Sequence, residues 1–98
     1  MKKVSFSPLH INDSFKTLVA NPEKDATMKP HYSDKDAVFL VINGKIEFLL
    51  GDISQVLCAN DSIQIPKTVK HSFRVLESGR CLLILDSKAK ITFEKSKK

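Results

Sequence analysis

Ala37-Val38-Phe39-Leu40-Val41-Ile42-Asn43-Gly44-Lys45-Ile46-Glu47-Phe48-Leu49-Leu50 is the stretch whose reading decides the fold. Six apolar residues, rich in β-branched and aromatic types, stop at Asn43-Gly44, and a second run follows in which Ile46, Phe48 and Leu50 alternate with Glu47. Asn-Gly between two such runs is the strongest short-range signal for a two-residue β-hairpin, because a type I′ turn needs positive φ at both central residues. The expectation is two antiparallel strands, 37–42 and 45–50, joined by a tight turn.

The same alternation of short runs and turn signals extends in both directions. Further strands are expected at Phe15–Ala20, Ile53–Cys58, Ser62–Ile65, Val69–Leu76, Arg80–Asp86 and Lys90–Glu94. Between them stand Asn21-Pro22, Gly51-Asp52, Asn60-Asp61 and Ser78-Gly79. No window of twelve residues keeps a helical apolar period, so the chain reads as all-β. In the run after Pro66, Val69, His71, Phe73 and Val75 share one face while Lys70, Ser72 and Arg74 share the other. Ala37–Ile42 and Cys81–Leu85 are apolar on both faces. A small barrel has one interior, so their second face calls for cover, and a homodimer through that face is expected.

Length and charge bound the rest. Ninety-eight residues make one domain with one small core. The net charge of +5 divides unevenly: residues 1–86 carry eleven Lys/Arg against ten Asp/Glu, whereas residues 87–98 carry five Lys against one Glu. The basicity is thus mostly a lysine-rich C-terminal tail (95–98), and with one Tyr and no Trp there is no aromatic platform for bases, so nucleic acid is not expected as a partner. No apolar run approaches membrane-spanning length, and no apolar stretch follows Lys2-Lys3, so neither a membrane span nor a secretory signal is expected. Cys58 and Cys81 each lie in an apolar run and read as small buried hydrophobes of a reducing compartment, the cytoplasm.

Two stretches carry a resemblance to a known family. Lys29-Pro30-His31-Tyr32-Ser33-Asp34-Lys35-Asp36-Ala37, continued to Gly44, resembles the first motif of the cupins: His-x-His, three or four residues, Glu, six residues, Gly. Asn60-Asp61-Ser62-Ile63-Gln64-Ile65-Pro66-Lys67-Thr68-Val69-Lys70-His71 resembles their second motif: Gly-Asp, several apolar residues, Pro-x-Gly, two residues, His. The resemblance implies a small antiparallel double-stranded β-helix, or jelly-roll barrel, occupying about residues 14–94, with a pocket in its mouth. It also implies a metal site, and there this sequence departs from the pattern. Anchored on Gly44, the family's Glu falls on Ala37; the first His falls on His31, the second on Ser33, and the last on His71. The longer spacing instead places the pair on Pro30 and Tyr32. Thr68 stands where the family has Gly.

On this alignment His31, Ser33, Ala37, Phe39, Phe48, His71 and Phe73 line the pocket. Any divalent metal, whether iron, manganese, nickel or zinc, would be held by His31 and His71 with a third ligand from Asp34, Asp36 or water. Catalytic zinc and mononuclear iron sites ordinarily take three protein ligands. Asp36 is one residue out of register with Ala37, which in an ideal strand turns it to the opposite face. His10 matches no ligand position. Three functions follow from this reading. The first is a pocket that binds a small molecule, apolar or anionic, with an incomplete metal site. The second is a metal-dependent oxygenase or isomerase using His31, His71 and an unusual carboxylate. The third is a structural dimer whose pocket is plugged by its own side chains.

Overall fold

The structure is a computed structural model and describes residues 4–93; the end of the expected last strand, Glu94, and the lysine-rich tail lie outside the described residues. Eight strands follow one another: β1 (Ser7–Ile11), β2 (Phe15–Ala20), β3 (Thr27–Ser33), β4 (Ala37–Leu50), β5 (Ile53–Leu57), β6 (Ser62–Ile65), β7 (His71–Asp86) and β8 (Ile91–Phe93). Every pairing among them is antiparallel.

The Asn43-Gly44 hairpin does not form. The chain runs through it as a single 14-residue strand, β4, and the two expected strands around Ser78-Gly79 are likewise one 16-residue strand, β7. β4 and β7 pair along nearly their whole length, from Ala37 opposite Leu85 to Leu50 opposite His71, with the register shifting between Val41 and Ile46. Those shifts are bulges, and they bend both strands together. Gly44 sits at the bend with φ +93° and packs backbone against backbone on Gly79. A Cβ on Gly44 would come within 2.8 Å of the carbonyls of Glu77 and Ser78, and one on Gly79 would overlap the carbonyl of Asn43. Positive φ and missing side chains, read as turn signals, serve here to fold a two-stranded ribbon across itself. The tight connection in this region is instead Gly51-Asp52, which joins Leu50 to its partner Ile53 with Gly51 at φ +58°.

The bend gives the protein two layers. In one, β1, β2, the 81–86 half of β7, the 37–41 half of β4 and β6 lie side by side; in the other, β8, β3, the 71–75 half of β7, the 46–50 half of β4 and β5 do so. Their facing surfaces supply Phe39, Val41, Phe48, Ile65, Val75 and Cys81, all fully buried. The inward set expected from alternation holds for Ile46, Phe48, His71, Phe73 and Val75. Cys81 is buried as expected, and burial pushes its thiol up to about 12. Cys58 is exposed: β5 ends at Leu57, and the Cys58 amide donates instead to the Asp61 carboxylate (2.8 Å) in the turn that follows.

On the outside of the first layer Val19, Leu40, Leu82 and Ile84 are half-buried and Val38 is 39% exposed. Pairing sets them in adjacent rows, with Val38 beside Ile84 and Leu40 beside Leu82. No helix among the described residues is long and apolar enough to cross a membrane.

The glycine crossing can be tested by side-chain addition. Gly79→Ala is expected to cost about 3 kcal/mol in urea unfolding, because the new methyl meets rigid backbone. Gly51→Ala, whose Cβ would touch only Val69 Cγ1 at 3.9 Å, should cost about 1 kcal/mol for its left-handed backbone alone. Equal losses at the two positions would refute the steric account.

Candidate functional site

His31 comes from β3, a strand whose sequence gives little sign of being one. Thr27–Ser33 contains Pro30 and does not alternate cleanly. The register between β3 and β7 shifts between Met28 and His31, and this irregularity accommodates the proline. Beyond it His31 stands directly opposite His71 on β7 and opposite Phe93 on β8. Directly opposed residues on paired strands project to the same face. Both histidines are 7% exposed, and their ring centroids lie 4.3 Å apart in an edge-to-face arrangement.

Each imidazole is tied to its own strand in the same way. His31 Nδ1 lies 2.6 Å from the Lys29 carbonyl oxygen and His71 Nδ1 lies 2.9 Å from that of Val69. A carbonyl only accepts, so Nδ1 carries the proton and donates it in both rings. That fixes the tautomer and leaves each Nε2 with a bare lone pair and no hydrogen bond from the described residues. Among the described residues no buried side-chain nitrogen or oxygen lacks a partner, so each unpartnered Nε2 keeps some accessible surface. Burial holds both histidines below the ordinary value of 6.5, partly offset by the backbone hydrogen bonds, and His31 pushes His71 down further.

Around the pair the wall is aromatic. Phe48 stacks on His71 at 5.8 Å, Phe39 and Phe73 complete a cluster with Phe48 at 5.2–5.9 Å, and Phe93 lies 4.9 Å from His31 at the rim. The chamber bounded by Phe6, His31, Phe39, Phe48, Ile65, His71, Phe73 and Leu83 has a volume of about 20 Å³, room for one water-sized group. Of the expected lining residues, His31, Phe39, Phe48, His71 and Phe73 meet there. Ser33 and Ala37 are buried nearby without bordering the chamber. Phe6, Ile65 and Leu83 complete the lining beyond the expected set; the alternation of Ser62-Ile63-Gln64-Ile65 marks Ile65, whereas Cys81–Leu85, apolar on both faces, does not single out Leu83. A wider hollow of about 470 Å³ on the outer face of the second layer is open to solvent, and Arg74 and Glu47 beside it pair with each other at 3.2 Å.

The donor set does not complete a three-ligand metal centre. Asp36 is exposed and its Oδ1 accepts from the Lys67 amide at 2.8 Å; Asp34 Oδ1 accepts from the Lys90 amide at the same distance. Both carboxylates brace loops outside the barrel. Ser33 Oγ accepts from the Lys35 amide at 3.1 Å. No group of three or more His, Cys, Asp or Glu among the described residues is placed to hold a metal ion. Thr68, standing where the family pattern has Gly, adopts the left-handed backbone that Gly would adopt freely (φ +67°), held by its amide donating to the Ser33 carbonyl at 2.7 Å. His10 is exposed on β1.

Two antiparallel layers closed around one mouth, with strands shared between them by bending, define a double-stranded β-helix. The sequence matches the Cupin domain family over residues 18–87, and the chain belongs to that family. None of the curated proteins matches it. An RmlC-like cupin from Shewanella frigidimarina shares the fold at TM-score 0.81 and 20% identity, over 89% of this chain and 78% of that one. A conserved protein with a double-stranded β-helix domain from Klebsiella pneumoniae does so at 0.85 and 15%, over 96% and 86%. A salicylate 1,2-dioxygenase from Pseudaminobacter salicylatoxidans does so at 0.84 and 11%, over 93% of this chain and 30% of that enzyme. At such identities the likeness speaks for the fold alone.

The lowered histidines tie stability to pH. As pH falls below 6.5 the unfolded chain takes protons on these imidazoles before the folded chain does, so stability drops until the folded values are passed and then levels. The melting midpoint is expected to be lower at pH 5.5 than at pH 7.5, with a shallower drop in His71→Gln. Parallel profiles for the two proteins would show that His71 is not a source.

Proposed function

We propose that this cupin binds a small molecule at the barrel mouth around His31 and His71, without a metal held by three protein ligands. The observation that carries the reading is the pair of tautomer-fixed imidazoles, whose Nε2 lone pairs are unengaged polar groups beside an otherwise apolar chamber. Such an arrangement of a mostly apolar concavity with a few oriented polar atoms suits ligand recognition. The small chamber volume favours a second reading, a structural protein whose pocket its own phenylalanines plug. A metal-dependent oxygenase or isomerase, the reading that the dioxygenase neighbour supports by fold, needs a third ligand beyond the two histidines.

One thermal-shift screen separates the three. A ligand that binds only the folded state raises the midpoint, and the rise grows with the logarithm of its concentration above Kd. Small molecules are expected to raise it in the wild type and not in His71→Ala. Salts of iron, manganese, nickel and zinc are expected to leave it unchanged; a rise with one of them that His71→Ala abolishes would put the enzyme reading first. Silence to every compound would favour the plugged barrel.

The expected pairing of two copies retains its support in the outer face of the first layer. Val19, Val38, Leu40, Leu82 and Ile84 carry no charge, nor do Thr17, Ser62 and Gln64, which pair beside them. Asp86, opposite Phe15, lies at the end of this face; a two-fold axis sets like residues against like, which the uncharged centre of the face permits. Sedimentation should give a dimer at micromolar concentration and a monomer for Val38→Glu. A wild-type monomer at high micromolar concentration would overturn the pairing.

A further inference from the structure

We propose that the mouth of the barrel selects uncharged hydrogen-bond donors, taking a hydroxyl or N–H head between His31 and His71 while an apolar ring stays at the rim, and that it rejects anions. The inference rests on the reading of this mouth as a ligand site and narrows it to one chemical class. Its basis is the hydrogen-bond inventory. Both Nδ1–H groups are spent on the carbonyls of Lys29 and Val69, so neither ring has a proton left to offer. What the two rings present to the chamber is a pair of acceptors. An incoming carboxylate would set lone pairs against lone pairs, and an ether oxygen would do the same more weakly. A hydroxyl or N–H completes a hydrogen bond instead.

Charge points the same way. None of the residues bounding the chamber is a lysine or an arginine that would neutralise an anion, and none is an aspartate or glutamate that would neutralise a cation. An ion entering this aromatic enclosure would lose its hydration without gaining a counter-charge. Volume then sets the division of the ligand. About 20 Å³ admits one donor head and no more. The ring that carries the head must remain at the opening, where Phe93, half-exposed at 49%, lies against His31, and Phe6 borders the chamber from the other chain end. Offset or edge contacts with these rings suit a flat apolar body. This reading departs from the anionic ligand that the loss of the family's Glu at Ala37 suggests from sequence: removing a negative charge does not create a positive one.

The test compares phenol, anisole and benzoate by titration into the wild-type protein at pH 7.5 with EDTA present, following the Cε1–H signals of His31 and His71 by NMR. Phenol is expected to shift both signals and to bind about tenfold more tightly than anisole, the difference of one net hydrogen bond. Benzoate should bind no better than anisole, and His71→Phe should bring phenol to the anisole level. Benzoate binding more tightly than phenol, or phenol and anisole binding alike with both signals shifted, would overturn the donor class and leave the mouth as a ligand site. No shift with any of the three would overturn the class as well, and the broader thermal-shift screen would then decide whether the mouth binds anything. The wild-type comparison stands on its own if the variant does not fold.

Discussion

Everything in this small barrel hangs on the close passage of Gly44 over Gly79. β4 and β7 are long enough to serve both layers, and they do so because the ribbon they form can bend where the two glycines meet. With side chains there the backbones would stand apart and each strand would continue straight. The two layers would then lose their shared strands, and the inner faces carrying Phe39 and Phe48 would no longer oppose each other. The bend also sets the site. It places the 71–75 half of β7 beside β3, and only that adjacency brings His71 opposite His31.

How much of this was legible in the sequence depends on which physical signal each residue carries. Period-two alternation is local and strong, so the inward faces of 46–50 and 69–75 were readable without any structure. Turn chemistry was readable but ambiguous. Asn43-Gly44 advertises positive φ, and Gly44 does adopt it, yet positive φ serves a bulge in a continuing strand as well as a hairpin. What decides between them is the partner strand, and that information lies thirty-five residues away at Gly79. β3 was hidden for a different reason: Pro30 marks it as non-strand, and only the register shift beside His31 makes the proline tolerable.

The candidate site shows the same division. Alignment to the family pattern found His31 and His71, and the structure brings them together. It also expected Asp34 or Asp36 as a third ligand, while register argued against Asp36. The carboxylates cap the Lys67 and Lys90 amides, a local use that spacing alone does not reveal. The tautomers of the two imidazoles were beyond any sequence reading, because they depend on carbonyls two residues upstream turning towards the rings.

The pairing of β4 with β7 also shapes how the protein is made. Leu50 and His71 are 21 residues apart along the chain, whereas Ala37 and Leu85 at the other end of the same ladder are 48 apart. The entropic cost of closing a loop rises with its length, so the ladder is cheapest to start at the Leu50 end and to zip back through the glycine bend. Until that zipper arrives, the segment Ala37–Ile42, apolar on both faces, has no β7 partner. A chain emerging from the ribosome can pair this segment with β6 along one edge, but its other edge stays open until Leu85 has been synthesised, and the non-local order of assembly makes folding slow for a domain of this size.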